Sequence, residues 1–261
     1  MAARIITAVV GVPAIVLLAH QGGWLFFVLV LGLAEAGLFE YYRLTKVPYL
    51  LCTWGYIIAA IFLISIHTQG LQCSWLLFNV GIIGLLLVVL FNFPDYTFQQ
   101  AGTALLGVCY IPFLFAYLLL LRALPQGGQV TILAFVLTWV VDSAAFLIGS
   151  CLGHRPLAPK LSPRKTWEGA WAGLSGSLIV MFWMAPRIDL SWLEAIIIGV
   201  AVAVAAMMGD LLESALKRLA KVKDAGRILP GHGGILDRFD ALLVVAPTLY
   251  FFLELLWRKG R

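Results

Sequence analysis

The residues best suited to chemistry lie in "KDAGRILPGHGGILDRFD", Lys223 to Asp240, which packs six formal charges and a histidine into eighteen residues of a chain that is only 12% charged. Pro230 and Gly231 end any preceding helix, and Gly233-Gly234 lets the backbone adopt positive φ and come close to a ligand, as phosphate-holding nests require. His232, set between glycines with little side-chain cover, reads as a phosphate contact. Asp237 and Asp240 are three residues apart on one side of a helix start, with Arg238 between them. Two carboxylates beside a glycine-rich anion site suit Mg²⁺, a hard cation that combines few carboxylates with substrate phosphate oxygens and water. A polar turn with a helix-capping Asp237 is the plainer reading, and it accounts for one of the acids.

Two more stretches carry chemistry. In "GDLLESALKRLAKVKD" a helix places Asp210, Glu213 or Ser214, Lys217 and Lys221 on one face. That face is either solvated and stitched by a Glu213–Lys217 pair or part of a site. Asp210 directly follows "AVAVAAMMG", at membrane depth, where an unpaired carboxylate costs about 2.5–3.5 kcal/mol, so a cation is expected beside it. In "LAPKLSPRKTWEG", Pro159 and Pro163 keep the chain extended, and Lys160, Ser162, Arg164, Lys165 and Thr166 offer anion donors before Trp167 enters the next helix. Ser162 and Lys165 match SxxK, but the companion SDN and KTG motifs of serine acyl transfer are missing. A floor or lid over phosphates is the reading we adopt. No GxxxxGK[ST], HExxH, GxSxG or GxGxxG is present, which removes the usual signals of ATPases, zinc proteases, hydrolases and dinucleotide enzymes.

The elements that must position these residues are membrane helices. The chain is 62% hydrophobic with nine Trp, more apolar material than one water-soluble core of this size uses. Apolar runs fall at about Ile5 to Ala19, Trp24 to Phe39, Leu50 to Ile66, Trp75 to Phe91, Ala101 to Leu121, Val130 to Gly149, Gly169 to Ala185, Trp192 to Met208 and Ala241 to Leu256. The expected fold is therefore an all-α integral membrane protein, a polytopic bundle of about nine transmembrane helices with active-site loops on the cytoplasmic side. The first run lacks a small-x-small cleavage pattern and reads as an uncleaved anchor. With the N-terminus cytoplasmic, thirteen of the 18 Lys and Arg fall on the cytoplasmic side. An odd number of spans then puts the basic tail "WRKGR" outside, against the same rule, so either the tail is tolerated or one of the nine runs is not a span.

Residues 1–125 read as N-terminal transmembrane helices with short, weakly charged connections, and residues 126–261 as the catalytic transmembrane module, where two polar stretches break up the helices. Basic residues in short loops between spans favour anionic head groups or nucleotide phosphates over nucleic acid. The four cysteines share no CxxC spacing and read as buried thiols. A transporter or channel would use intramembrane acids such as Glu35 and Asp142 as an ion path, but it predicts polar residues threaded through many helices and gains nothing from internal repeats, which are absent.

"SALKRLAKVKDAGRILPGHGGILDRFD", Ser214 to Asp240, resembles the signature of the phosphatidate cytidylyltransferases (CDP-diacylglycerol synthases). Ser214, Lys217, Arg218, Lys223, Asp224, Gly226, His232, Gly233, Gly234, Asp237, Arg238 and Asp240 match it in order. "LSPRKTWEG" is similar to the family's SPxKTWEG loop, and "VDSAAFLIG" to its D-S/T-G-A-Y-x-x-G segment, with Ala144 for Gly, Phe146 for Tyr, and Ser150 where a basic residue is common. The likeness covers roughly Val130 to Arg261. It implies that CTP and phosphatidic acid give CDP-diacylglycerol and pyrophosphate at a bacterial-type inner membrane, with Mg²⁺ and room for a second cation, by a homodimeric enzyme in the family's manner. It further implies that Asp210 and Asp237 are metal ligands, with Asp240 and Asp142 in a supporting shell or second cation site. Lys217, Arg218, Lys223 and His232 would then hold triphosphate or leaving pyrophosphate. Ser162, Arg164, Lys165 and Thr166 would engage phosphatidate or close the site. Another lipid-nucleotide enzyme, such as a dolichol or phytol kinase, is the alternative; the HGG…DRxD pattern favours the cytidylyltransferase.

Overall fold

A computed structural model describes residues 2–226, 228 and 233–259. It is helical throughout apart from one short hairpin: α1 (Ala2–Gln21), α2 (Gly23–Thr45), α3 (Tyr49–Gln69), α4 (Leu71–Phe91), α5 (Phe98–Tyr110), α6 (Pro112–Ala123), α7 (Gly127–Leu152), β1 (Pro156–Ala158), β2 (Ser162–Thr166), α8 (Trp167–Met184), a 3₁₀ turn (Ala185–Arg187), α9 (Trp192–Leu219) and α10 (Leu236–Lys259). Among the described residues, eight helices are long and apolar enough to cross a bilayer, and Val9–Gln21 adds a shorter apolar stretch. This is an all-α polytopic membrane protein. Helices are the natural solution because hydrocarbon offers no partner for backbone N–H and C=O groups.

The apolar runs fall on helices, with one subdivision. The run Ala101 to Leu121 is not one helix: α5 and α6 meet at Ile111, and Pro112 opens α6. Proline lacks the N–H that would continue the ladder and is well suited to a first helical position. Phe98–Ala123 still serves as a single span by length. The eighth run stays helical well past Met208, to Leu219, with no proline on the way. The four cysteines, all free, are not the buried thiols expected: Cys52 and Cys109 are half-buried, and Cys73 and Cys151 are exposed on helix surfaces that carry apolar neighbours.

The chain divides into two compact units, one of residues Met1–Ala123 with Lys223–Arg238 and one of Leu124–Val222 with Phe239–Arg261. In the first, side chains satisfy what the helices leave open. The Arg122 guanidinium donates to the carbonyls of Ala19, His20 and Gln21 at 3.0, 3.0 and 3.2 Å, closing the last turn of α1. The Tyr42 hydroxyl donates to the Ala104 carbonyl at 3.0 Å.

In the second unit the helices pack through small residues, as expected where lipid gives no hydrophobic push between helices. Gly149 of α7 faces Gly169 of α8, and a Cβ on Gly169 would stand 2.7 Å from the Ala145 carbonyl oxygen. Further along the same seam Gly173 and Gly176 meet Val141 and Val140. Ser177 of α8 donates to the Gly199 carbonyl of α9 at 2.8 Å. The segment held extended by Pro159 and Pro163 is an antiparallel hairpin, with Pro156 opposite Thr166 and Ala158 opposite Ser162. A two-stranded sheet is all edge, so a strand proline is tolerated there.

Candidate active site

Second-unit residues enclose a cavity of about 620 Å³, bounded by α7, the hairpin, the start of α8 and Met207 and Asp210 of α9. That volume lies within the range of small-molecule sites, roughly 300–1,000 Å³. Its polar groups are Asp142, His154, Arg164, Lys165, Thr166 and Asp210, and its apolar wall includes Val141, Ala145, Phe146, Leu157 and Met207. Asp142 is open to this space.

The hairpin brings cations to the acids. Lys165 Nζ lies 2.5 Å from Asp210 Oδ2, and the lysine side chain is only 23% exposed. Arg218 Nε donates to the Leu161 carbonyl at 3.2 Å, tying the hairpin turn to the end of α9. The hairpin base is built from the "KTWEG" residues themselves. Thr166 is the N-cap of α8 and accepts from Gly169 N at 3.2 Å. Glu168 Oε2 accepts from the amides of His154 and Arg155 at 3.1 and 3.3 Å, and Trp167 N donates to the Arg155 carbonyl at 2.9 Å. Thr166 thus combines a cavity-lining position with a capping role.

Three carboxylates gather beside the cavity. Asp210, Glu213 and Asp240 each offer a ligand oxygen within 4.8 Å of the others. Gly209 is the reason. A Cβ at that position would stand 2.5 Å from the Asp240 carbonyl oxygen and 2.8 Å from Ala241 Cα, so only glycine lets α9 and α10 come this close. Asp240 is 8% exposed, and its Oδ1 accepts from Ala241 N at 2.7 Å. Glu213, fully buried, forms an ion pair with Lys217 one turn on. The pairing foreseen for these two residues is present, but on a buried face rather than a solvated one. Three carboxylates therefore face two ammonium groups, Lys165 and Lys217. An all-oxygen anionic donor set fits a hard divalent cation. Ligand oxygens around Mg²⁺ at about 2.0–2.1 Å sit roughly 3–4 Å apart, against separations within 4.8 Å in this trio.

Of the residues singled out from sequence, Asp142, Ser162, Arg164, Lys165, Thr166, Asp210, Ser214, Lys217, Arg218 and Asp240 belong to the second unit. Lys223, Asp224, Gly233, Gly234, Asp237 and Arg238 belong to the first, and His232 lies outside the described residues. Gly233 has φ +87, the positive value expected for it. Asp237 Oδ2 accepts from the amides of Ala225 and Gly234, both at 2.9 Å, so it ties the arms of its own loop.

Two acids escaped the sequence-based site. Glu213 was visible three residues after Asp210, but its pairing with Lys217 disguised it. Glu40, 1% exposed, sits in the apolar run "GLFEYY", where a carboxylate is costly enough to signal a partner. In the first unit its Oε2 accepts from Leu236 N at 2.9 Å.

Comparison with known proteins places this geometry in a family context. Residues 2–256 match the family described as "Cytidylyltransferase family", far beyond the segment from Val130 that carries the motifs. A Bacillus subtilis protein named phosphatidate cytidylyltransferase is 35% identical over 266 residues, covering 98% of each chain. Proteins of the same name from Staphylococcus epidermidis and Synechocystis are 30% and 31% identical, and each alignment covers 97% of this chain and at least 96% of the relative.

Proposed function

The chain belongs to the cytidylyltransferase family, and from that premise we propose that it transfers CMP from CTP to phosphatidic acid, forming CDP-diacylglycerol and pyrophosphate. The observation that carries this reading is the cationic hairpin held against the acids of α9, with Lys165 on Asp210 beside Glu213 and Asp240. A phosphate oxygen of phosphatidate forms a bond to the α-phosphorus of CTP, and the bond from that phosphorus to the bridging oxygen of the β-phosphate breaks. The attacking oxygen is already anionic, so no strong general base is needed. Positioning and charge neutralisation then carry the rate, as in phosphoryl transfer generally.

Asp210, Glu213 and Asp240 would hold Mg²⁺, which when bound neutralises charge on phosphate oxygens. Asp142, on the cavity wall, is assigned to a second cation. Lys165 and Arg164, with Thr166 and the nearby Ser162, engage the phosphate of phosphatidate, and the apolar wall of the cavity suits the adjoining glycerol and acyl carbons. Lys217, Arg218 and Ser214 are assigned to the triphosphate or the departing pyrophosphate. Lys223, Asp224, His232, Gly233, Gly234 and Arg238 keep their assignment to substrate, and Asp237 its assignment to metal, on the strength of the motif. The basic residues between spans support a cytoplasmic-facing site in a bacterial-type inner membrane. A homodimer is the assembly that the family resemblance supports.

The test is pyrophosphate release by the detergent-purified protein. Turnover of CTP should require both Mg²⁺ and phosphatidate and stop on chelation by EDTA. Equal use of ATP, or release without phosphatidate, refutes the reading.

A further inference from the structure

Resting on the reaction proposed above, we infer that Glu40 is a positioning residue, fixing from α2 the two described arms, at Gly226 and at Gly234–Leu236, of the loop that carries the family signature. Four observations within the first unit converge on it. The carboxylate is buried, and a buried charge persists only where other groups hold it. Its Oε2 accepts from Leu236 N at 2.9 Å, and Leu236 is the first residue of α10, so a side chain from a distant helix caps one of the amides that a helix start leaves open. A Cβ added to Gly226 would fall 1.9 Å from Glu40 Oε1, and one added to Gly234 would fall 2.5 Å from Oε2. One turn before Glu40, Gly37 leaves the space filled by the Leu236 side chain, whose Cδ2 is 3.3 Å from the position of a Cβ there.

At two of the signature glycines, Gly226 and Gly234, the space a side chain would need is thus taken by the Glu40 carboxylate. Gly226 and Gly234 lie on the two arms of the loop, and both arms close on Glu40. Asp237 joins the same arms through Ala225 N and Gly234 N, so two acids from different parts of the chain hold three amides of one loop. A small displacement of groups that hold a substrate is costly in rate even when binding survives, which is what a positioning role predicts.

The test uses the full-length protein in detergent, with kcat and KM measured for CTP and phosphatidate. Glu40→Ala is expected to lower kcat by about tenfold to a hundredfold through displacement of the groups that hold substrate, with little change in KM and a lower thermal unfolding midpoint from the lost hydrogen bond. Glu40→Gln keeps an acceptor for Leu236 and should recover most of the rate. Tryptic cleavage after Lys223 and Arg238 should accelerate in Glu40→Ala relative to cleavage elsewhere. Wild-type kcat in Glu40→Ala, or equal losses in both variants that follow the unfolding midpoint, would overturn the inference. If Glu40→Ala does not fold, Gly226→Ala is read instead, since it leaves Glu40 in place but intrudes on its carboxylate; normal kcat there overturns the inference equally. Should the wild type not turn over CTP with phosphatidate, the reaction fails while the cleavage comparison still decides the role of Glu40, and unchanged cleavage refutes it.

Discussion

Replacing Gly209 by alanine tests whether the carboxylate cluster depends on backbone approach rather than on the acids alone. The added methyl would meet the Asp240 carbonyl oxygen at 2.5 Å and Ala241 Cα at 2.8 Å, whereas ordinary contact begins at 3.4 Å. Relief therefore requires about 0.9 Å of separation at the first atom and 0.6 Å at the second. Both obstacles are main chain, so no rotamer change can provide it, and α10 must shift away from α9. Asp240 moves with that backbone while Asp210 and Glu213 remain on α9. A misplacement of about 1 Å near the chemistry costs on the order of 10²-fold in rate, and overpacking of this kind costs about 1–3 kcal/mol of stability. Gly209→Ala should thus purify as a folded membrane protein, with a lower unfolding midpoint and roughly a hundredfold lower kcat in the pyrophosphate assay. Gly102→Ala is the control, because nothing lies within 4 Å of its added carbon; it should keep wild-type activity. A Gly209→Ala enzyme at near-normal rate would show that the Asp210–Glu213–Asp240 grouping is not what catalysis uses.

Asp210→Asn and Asp237→Asn should each abolish turnover while the protein inserts and purifies normally, measured by the same assay alongside size-exclusion profiles. Lys165→Met should lower kcat/KM for phosphatidate by about tenfold to a hundredfold, in line with a lost charge-assisted hydrogen bond, with a smaller effect on KM for CTP. Thr166→Ala should cost about 0.5–2 kcal/mol through the lost α8 cap, read as a lower unfolding midpoint, and Thr166→Ser should restore it.

The helices were legible because apolar length is a strong signal in a chain whose solvent is hydrocarbon. The interruption at Ile111 was less so: Pro112 is compatible with either a kink or a helix start, and only the backbone around it decides. Pro159 and Pro163 correctly announced an extended segment, but pairing Ala158 with Ser162 depends on where the turn falls, which two prolines do not specify. Asp210 and Asp240 were both visible as acids near membrane ends. Their proximity was not, because it depends on one glycine whose lack of a side chain is meaningful only once its neighbour is known. Glu40 was hidden for the opposite reason: it lies nearly two hundred residues before the amide it binds, and no local pattern links the two.

The glycine seam between α7 and α8 has a consequence for how this enzyme can change. Where Gly149, Gly153 and Gly169 meet the Thr166 side chain and the Ala145 carbonyl, the cavity boundary is glycine and main chain apart from Thr166, and trimming Thr166 would cost the α8 cap. If the cavity takes the lipid as proposed, remodelling for bulkier or slimmer lipids falls to the opposite kind of wall, the replaceable side chains of Phe146, Leu157 and Met207. A selection for altered acyl preference should accumulate its substitutions there and leave the seam untouched.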